Sequence, residues 1–368
     1  MYEDHTVGVV VPAYNEEGHV GDVIETIPEF VDRVYVVDDA STDGTWAEIR
    51  EHARRINGSP LGSTPGRVEP PGPRPGDPER TGSTAESDGG ITPRIVPIQH
   101  ATNRGAGASI KTGYVRALAD DIDVTAVMDG DGQMDPDHLD RIIDPVVAGD
   151  VTYSKGNRLR SKRDYEQMSR WRLFGNTVLT SLTRCSSGYW RLSDPQNGFT
   201  AISKEGLRTI GIGRLYDQYG FLNDLLFALN VNREPIADVA HPARYADETS
   251  DIRYSTFVPR LSILLARNFL KRLTHSYLVR RFHPLIVCYA LGAIVLMTSV
   301  LVGLYMIVTP TVDSFSGAAV SAAGGAVGGA LFALGVRFDM SENEGLVRDS
   351  DRATSGTSDS GEGVSKSL

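Results

Sequence analysis

Cysteine is scarce in this chain: Cys185 and Cys288 are the only two in 368 residues, and they lie in dissimilar contexts. They form neither a disulfide framework nor a metal-binding spacing, so both read as packing residues. A basic excess is also lacking. The net charge is −10, which argues against nucleic acid as a partner, because a phosphate-backbone footprint needs clustered Lys and Arg. The first apolar run, Val7 to Ala13, is short, has no basic leader and contains Pro12. It reads as a strand of a cytoplasmic domain and not as a secretory signal. The most informative absence comes late: from Ile252 to Val312 there is no Asp or Glu at all.

What fills that acid-free stretch is apolar and basic. Phe257 to Phe282 mixes apolar positions with Arg260, Arg267, Lys271, Arg272, Arg280 and Arg281, a composition suited to helices lying on an anionic membrane surface. Residues 251–284 are therefore expected to form a basic amphipathic interfacial segment. Residues 285–309 are uncharged and long enough to cross the hydrocarbon core. Residues 314–336 form a second uncharged span, whose Gly324, Gly325, Gly328 and Gly329 would let helices approach closely, within the chain or between copies in a homo-oligomer. The basic flank places the preceding residues in the cytoplasm. Two crossings then return the Ser- and Asp-rich tail, 337–368, to the same side as a disordered segment. The expected location is the cell membrane, multi-pass.

The first 250 residues alternate differently. Val7–Ala13, Arg33–Val37, Arg94–Gln99, Val124–Val127 and Val151–Ser154 are β-branched runs that read as strands. Helical spacing separates them, over Gly18–Glu29 and Trp46–Arg55 for example. This alternation predicts an α/β domain with a mostly parallel sheet and helices on both faces. Ligands of such sheets bind at the carboxyl ends of the strands, where Tyr14–Glu17, Asp38–Asp43 and Asp129–Gln133 fall. Residues 57–93 interrupt the pattern. Rich in Pro, Gly, Ser and Thr, they have too few apolar side chains to repay ordering and read as a disordered insertion.

Met128-Asp-Gly-Asp-Gly-Gln-Met-Asp-Pro136 follows the strand at Val124–Val127. Read as extended chain, it projects Asp129, Asp131 and Gln133 from one face, with glycines leaving room for a large anion. Hard oxygen donors suit Mg²⁺ or Mn²⁺, which usually also hold substrate phosphates. The turn Asn103-Arg-Gly-Ala-Gly107 enters a helix and reads equally well as a phosphate-facing loop or as a tight packed turn.

Val11-Pro-Ala-Tyr-Asn-Glu16, Asp38-Asp-Ala-Ser41, Asp129-Gly-Asp-Gly-Gln133 and Asp194-Pro-Gln-Asn-Gly-Phe199 together resemble family 2 glycosyltransferases of the GT-A fold. They are most similar to dolichyl-phosphate hexose synthases, such as archaeal dolichyl-phosphate glucosyltransferases and dolichyl-phosphate mannose synthases. The resemblance spans Val7 to about Arg260, apart from the insertion. It implies a GT-A catalytic domain over residues 1–250. It also implies inverting transfer of glucose or mannose from a UDP- or GDP-sugar to dolichyl or another polyprenyl phosphate. Pro12, Ala13, Tyr14, Glu16 and Asp39 match positions that hold the nucleoside. Asp129, Asp131 and Gln133 match the metal and diphosphate site.

A phosphate nucleophile is largely ionised at neutral pH, since its second pKa is about 6, and so needs no strong general base. It needs cations to hold it beside a negative donor, a task suited to arginine. Arg158 and Arg253 are the first candidates, then Arg170 and Arg172, with Asn197 beside them. Hydroxyl-glycosylating relatives carry Glu-Asp where this chain has Asn223-Asp224, so Asp224 is expected to orient a partner more than to act as base. The rival readings are an enzyme that extends a lipid-linked glycan at a sugar hydroxyl, and an inactive nucleotide-sugar-binding membrane adaptor.

Overall fold

A computed structural model describes residues 1–58, 93–158, 170–241, 254–309 and 314–349. In chain order the elements begin β1 (Val7–Ala13), α1 (Val20–Thr26), β2 (Arg33–Asp38), α2 (Thr45–Asn57), β3 (Ile95–Gln99), α3 (Ala106–Ala119) and β4 (Val124–Val127). They continue as α4 (Leu139–Val147), β5 (Tyr153–Asn157), α5 (Arg170–Ser187), β6 (Thr200–Ser203), α6 (Lys204–Thr209), α7 (Phe221–Val231) and β7 (Ile236–Ala240). Last come α8 (Tyr254–Leu273), α9 (Leu285–Val308), α10 (Ser314–Asn343) and β8 (Val347–Asp349). The described residues fall into two compact units, one from 1–58, 93–149 and 198–221, the other from 150–158, 170–197, 222–241, 254–309 and 314–349. This division runs inside the 1–250 segment.

The first unit bears out the expected α/β class. Strands β3, β2, β1 and β4 lie side by side in that order and parallel, and β6 joins β4 antiparallel. Val7, Val9, Val10 and Val11 of β1 are fully buried, each contributing roughly 1.5–3 kcal/mol by leaving water. Helix α3 packs directly on β1 at Gly113, where an added Cβ would fall 2.4 Å from a Val10 methyl. That contact explains a glycine in mid-helix despite its cost of about 1 kcal/mol there.

In the second unit β5, β7 and β8 run parallel. Strand β5 begins two residues later than expected and takes in Lys155, Gly156 and Asn157, beyond the expected end at Ser154. Helix α5 exposes Val178 and Leu182, while Thr183, Ser186 and Ser187 are buried.

Helix α8 buries Leu261, Leu264, Leu265, Asn268 and Arg272 on one face and exposes Val258, Ile263 and Leu270. Of the six cations in the basic stretch, Arg272 is thus a correction, for it is fully buried and not on a surface. Helices α9 and α10 are long and apolar enough to cross a membrane. Only 17% and 11% of their most apolar stretches are buried, so they are not core helices. Helix α10 runs past residue 336 to Asn343, and β8 follows. Residues 337–349, expected in a disordered tail, are ordered because Asp339 and Asn343 are buried among polar partners. The rest of that tail and residues 59–92 of the insertion lie outside the described residues.

Candidate active site

Three turns at the carboxyl ends of β1, β2 and β4 are tied together by their backbones. Asp39 N–H donates to Ala13 O at 2.9 Å, and Gly130 N–H donates to Pro12 O at 3.2 Å. Gly130 allows this close approach, since an added Cβ would lie 3.1 Å from that same carbonyl, a tight contact. The side chains brace the same junction: Ser41 Oγ accepts from Asn15 N–H (3.0 Å) and Asn15 Oδ1 from Thr42 N–H (2.9 Å). Glu16 N–H donates to Thr45 Oγ1 at 2.8 Å. Pro12 and Ala13 are buried beneath, while the Tyr14 ring stands exposed. Pro12, Ala13, Tyr14, Glu16, Asp39, Asp129, Asp131 and Gln133 thus share one end of the sheet.

The acidic stretch after β4 is not extended, which corrects the alternation argument. The chain turns at Gly130–Gly132, with φ +72° at Gly132, and Asp131 Oδ1 accepts from Gln133 N–H at 2.9 Å. A turn, and not a strand face, groups Asp129, Asp131 and Gln133. Both carboxylates are half-buried. No cluster of three or more His, Cys, Asp or Glu side chains able to hold a metal occurs among the described residues. Two carboxylates and an amide make a short donor set, which fits a cation that takes its remaining ligands from phosphates and water. Gly198 lies against this set: its Cβ would fall 2.9 Å from Asp129 Oδ2.

Asp39 is buried and its carboxylate is heavily bonded. It pairs with the His100 ring (2.6 Å) and accepts from the Arg104 and Gly105 backbone N–H groups at 2.6–3.0 Å. Burial pushes its pKa up, but the bonds from His100, Arg104 and Gly105 outweigh burial and hold it below the usual carboxylate value. The same bonds decide the two readings of the glycine turn. Arg104 and Gly105 N–H face Asp39, and Ala108 N–H donates to Asp217 O at 2.9 Å. It is a tight packed turn, with Gly105 at φ +96°.

In the second unit a loop at Ser193–Asn197 is gripped by the ends of β5 and β7. Arg158 Nε donates to Asp194 Oδ2 at 2.9 Å. Asn197 Nδ2 pairs with His241 Nε2 at 2.7 Å, and its backbone carbonyl accepts from the fully buried Lys155. Asp238 Oδ2 accepts from Asn157 Nδ2 and Ser193 N–H, both at 3.0 Å. Burial pushes the Asp238 carboxyl up to about 6, with nearby Asp194 adding to the rise and the Ser193 bonds and Lys155 opposing it. The sequence reading missed Lys155, Asp238 and His241. The one visible signal was the glycine after Lys155, Gly156, whose Cβ would collide with the His241 ring at 2.6 Å. Asp224, buried in the first turn of α7, accepts from Asn268 Nδ2 at 2.9 Å, with Arg267 at 3.7 Å. Arg170 and Arg172 open α5, but their side chains lie outside the described residues, as does Arg253.

The sequence model described as Glycosyl transferase family 2 matches residues 8–61 and 76–211, just over half of the chain. The chain is 23% identical over 245 residues to a UDP-N-acetylglucosamine–dolichyl-phosphate N-acetylglucosaminyltransferase of Methanococcus voltae, covering 66% of this chain and 88% of that protein. It is 26% identical over 203 residues to an uncharacterized protein, MJ1222, of Methanocaldococcus jannaschii, covering 55% and 66%. Among solved structures, glucosyl-3-phosphoglycerate synthase of Mycobacterium tuberculosis with Mn²⁺, UDP-glucose and phosphoglyceric acid is similar at a TM-score of 0.45 and 20% identity. That match covers 73% of this chain and 80% of that one.

Proposed function

The chain belongs to glycosyl transferase family 2, and from that premise we propose that it moves a hexose from a UDP- or GDP-sugar to dolichyl or another polyprenyl phosphate at a membrane. One observation carries the reading. The turn bearing Asp129, Asp131 and Gln133 is bonded to the Pro12 carbonyl, in a chain that also exposes two apolar helices of membrane-crossing length. The Methanococcus relative, by its name, joins a nucleotide sugar to dolichyl phosphate, and adds N-acetylglucosamine to glucose and mannose as sugars to test.

Asp129, Asp131 and Gln133 would hold Mg²⁺ or Mn²⁺, which when bound neutralises charge on a departing diphosphate. Pro12, Ala13 and Tyr14 would receive the nucleoside. Asp39 would shape that pocket through the turn at Arg104–Gly105, to which its carboxylate is bonded. Asp194 bonds to the Arg158 guanidinium, and this cation would help to hold the acceptor phosphate, with Arg172, Arg253 and Asn197 as further candidates. Asp224 is buried and held by Asn268, which supports a positioning role over that of a base. The exposed Val258, Ile263 and Leu270 beside Arg260 and Lys271 support docking of α8 on an anionic bilayer. Two crossings, by α9 and α10, would then leave residues 1–250 in the cytoplasm.

The test incubates the full chain in membranes with labelled UDP- and GDP-sugars and either polyprenyl phosphate or a glycan-bearing lipid. Transfer to polyprenyl phosphate that is lost in chelator and in Asp131→Ala, with thermal stability kept, is expected. Transfer only to the glycan-bearing lipid, or an undiminished rate in chelator, would sink the reading.

A further inference from the structure

One ion pair in the second unit is sealed from solvent on both sides. Arg272 of α8 and Asp339 of α10 are fully buried, and Nη1 and Nη2 donate to Oδ1 and Oδ2 at 2.8 and 2.6 Å. The other guanidinium bonds go to the end of α5: Nε donates to Ser186 O (3.1 Å) and Nη2 to Cys185 O (2.9 Å). Asp339 Oδ1 also accepts from Tyr277 OH and Asn343 Nδ2, each at 2.9 Å, and Asn343 Oδ1 accepts from Asn230 of α7 at 3.0 Å. Even Gly188 is required, because its Cβ would lie 2.8 Å from Arg272 Nη1. A buried pair offsets its desolvation only with such complete bonding, and an apolar pair would often be no less stable. What the pair adds is geometry: a two-pronged fork fixes orientation in a way that apolar contact does not.

The orientation it fixes is that of α8. One turn before Arg272 on the same buried face, Asn268 donates to Asp224 Oδ1 at 2.9 Å, and Arg267 approaches the same oxygen at 3.7 Å. Adjacent turns of one helix thus hold the two carboxylates, Asp339 on the apolar hairpin and Asp224 at the start of α7. We propose that Arg272 and Asp339 are positioning residues for sugar transfer, setting the Asp224 carboxylate through α8 and Asn268. The inference rests on the reading of Asp224 as a site residue. Neither member of the pair touches substrate. A displacement of α8 reaches Asp224 because Asn268 and Arg272 share a rigid helix, and a misplacement of about 1 Å costs up to about 10²-fold in rate.

The experiment is a double-mutant cycle on the full chain in lipid, reading kcat, KM for polyprenyl phosphate and Tm. Asn268→Ala cuts the link to Asp224, and Asp339→Asn weakens the fork. Each is expected to lower kcat by on the order of 10-fold, and the double variant to be no slower than the slower single. Effects that multiply would overturn the proposal. Should Asp339→Asn not fold, the paired change Arg272→Met with Asp339→Leu leaves no lone buried charge. It is expected to keep Tm and lose kcat like Asn268→Ala, and a wild-type kcat in that folded variant overturns the proposal. Asp224→Ala separates the premise from the coupling. Wild-type kinetics there would refute the role of Asp224 itself, whereas a slow Asp224→Ala beside an additive cycle would refute only the link through α8.

Discussion

Ala40 adopts φ +60° between Asp39 and Ser41, in the left-handed region that a Cβ disfavours by roughly 1–2 kcal/mol. Glycine there would relieve that strain and give back about 0.4–1 kcal/mol in unfolded-state entropy. Ala40→Gly is accordingly expected to raise stability by about 0–1 kcal/mol, read as a Tm unchanged or a few degrees higher. A clear loss would mean that the Ala40 methyl packs against something the strain protects. Asp238 gives a pH signature. Its folded pKa of about 6 exceeds the ordinary value of 3.8, so between those pH values the folded state binds more protons than the unfolded one. Stability then falls as pH rises from about 4 to about 6 and is flat above, by roughly 3 kcal/mol at most. Asp238→Asn should abolish that fall, measured as Tm against pH for the two proteins side by side. Parallel curves would show that Asp238 stays ionised throughout.

At the scale of elements, the small residues of α10 divide by direction. A Cβ at Gly328 would fall 2.8 Å from Leu296 N of α9, and one at Gly292 of α9 would fall 2.7 Å from Phe332 N of α10. At Gly325 and Gly329 nothing lies within 4 Å. All four glycines flagged in the sequence would allow close helix approach, but this contact uses Gly324 and Gly328 and adds Gly292. Leucine at 292 or 328 must separate two backbones, while leucine at 325 or 329 enters open space. The first pair is expected to lower Tm in detergent by several degrees and the second to leave it near wild type. Equal losses from all four would place another surface against Gly325 and Gly329.

At the scale of the whole chain, the insertion is bracketed by a reciprocal clasp. Asn57 Nδ2 donates to Ile95 O at 2.9 Å, and Ile95 N–H donates to Asn57 Oδ1 at 3.0 Å. Gly58 closes α2 in the left-handed conformation just beyond. With the two ends already joined, loop length costs little, about 0.6 kcal/mol per doubling. Replacing residues 59–92 with a short Gly-Ser linker is expected to leave Tm and turnover nearly unchanged. A large fall in turnover at constant Tm would assign the segment a part in the reaction.

What the sequence by itself determined were properties carried by neighbours along the chain. β-branched runs alternating with 3.6-residue periodicity read as parallel α/β, as the pairing of β1 to β4 bears out. Two uncharged runs read as helices of membrane-crossing length, as α9 and α10 are. Only the tertiary structure decided where charges went. Arg272 read as one surface cation among six, yet its carboxylate partner is 67 residues away. Lys155 falls just past the run that reads as a strand and carries no signal of its own, although the carbonyl it grips lies 42 residues on, at Asn197. A buried charge is stable only beside its partners, and composition records the charge but not the partner. For the same reason the polar end of α10 passed for tail. Nothing adjacent in sequence reveals that Asp339 and Asn343 are bonded to Asn230 of α7, Arg272 of α8, Tyr277, and Tyr289 of α9.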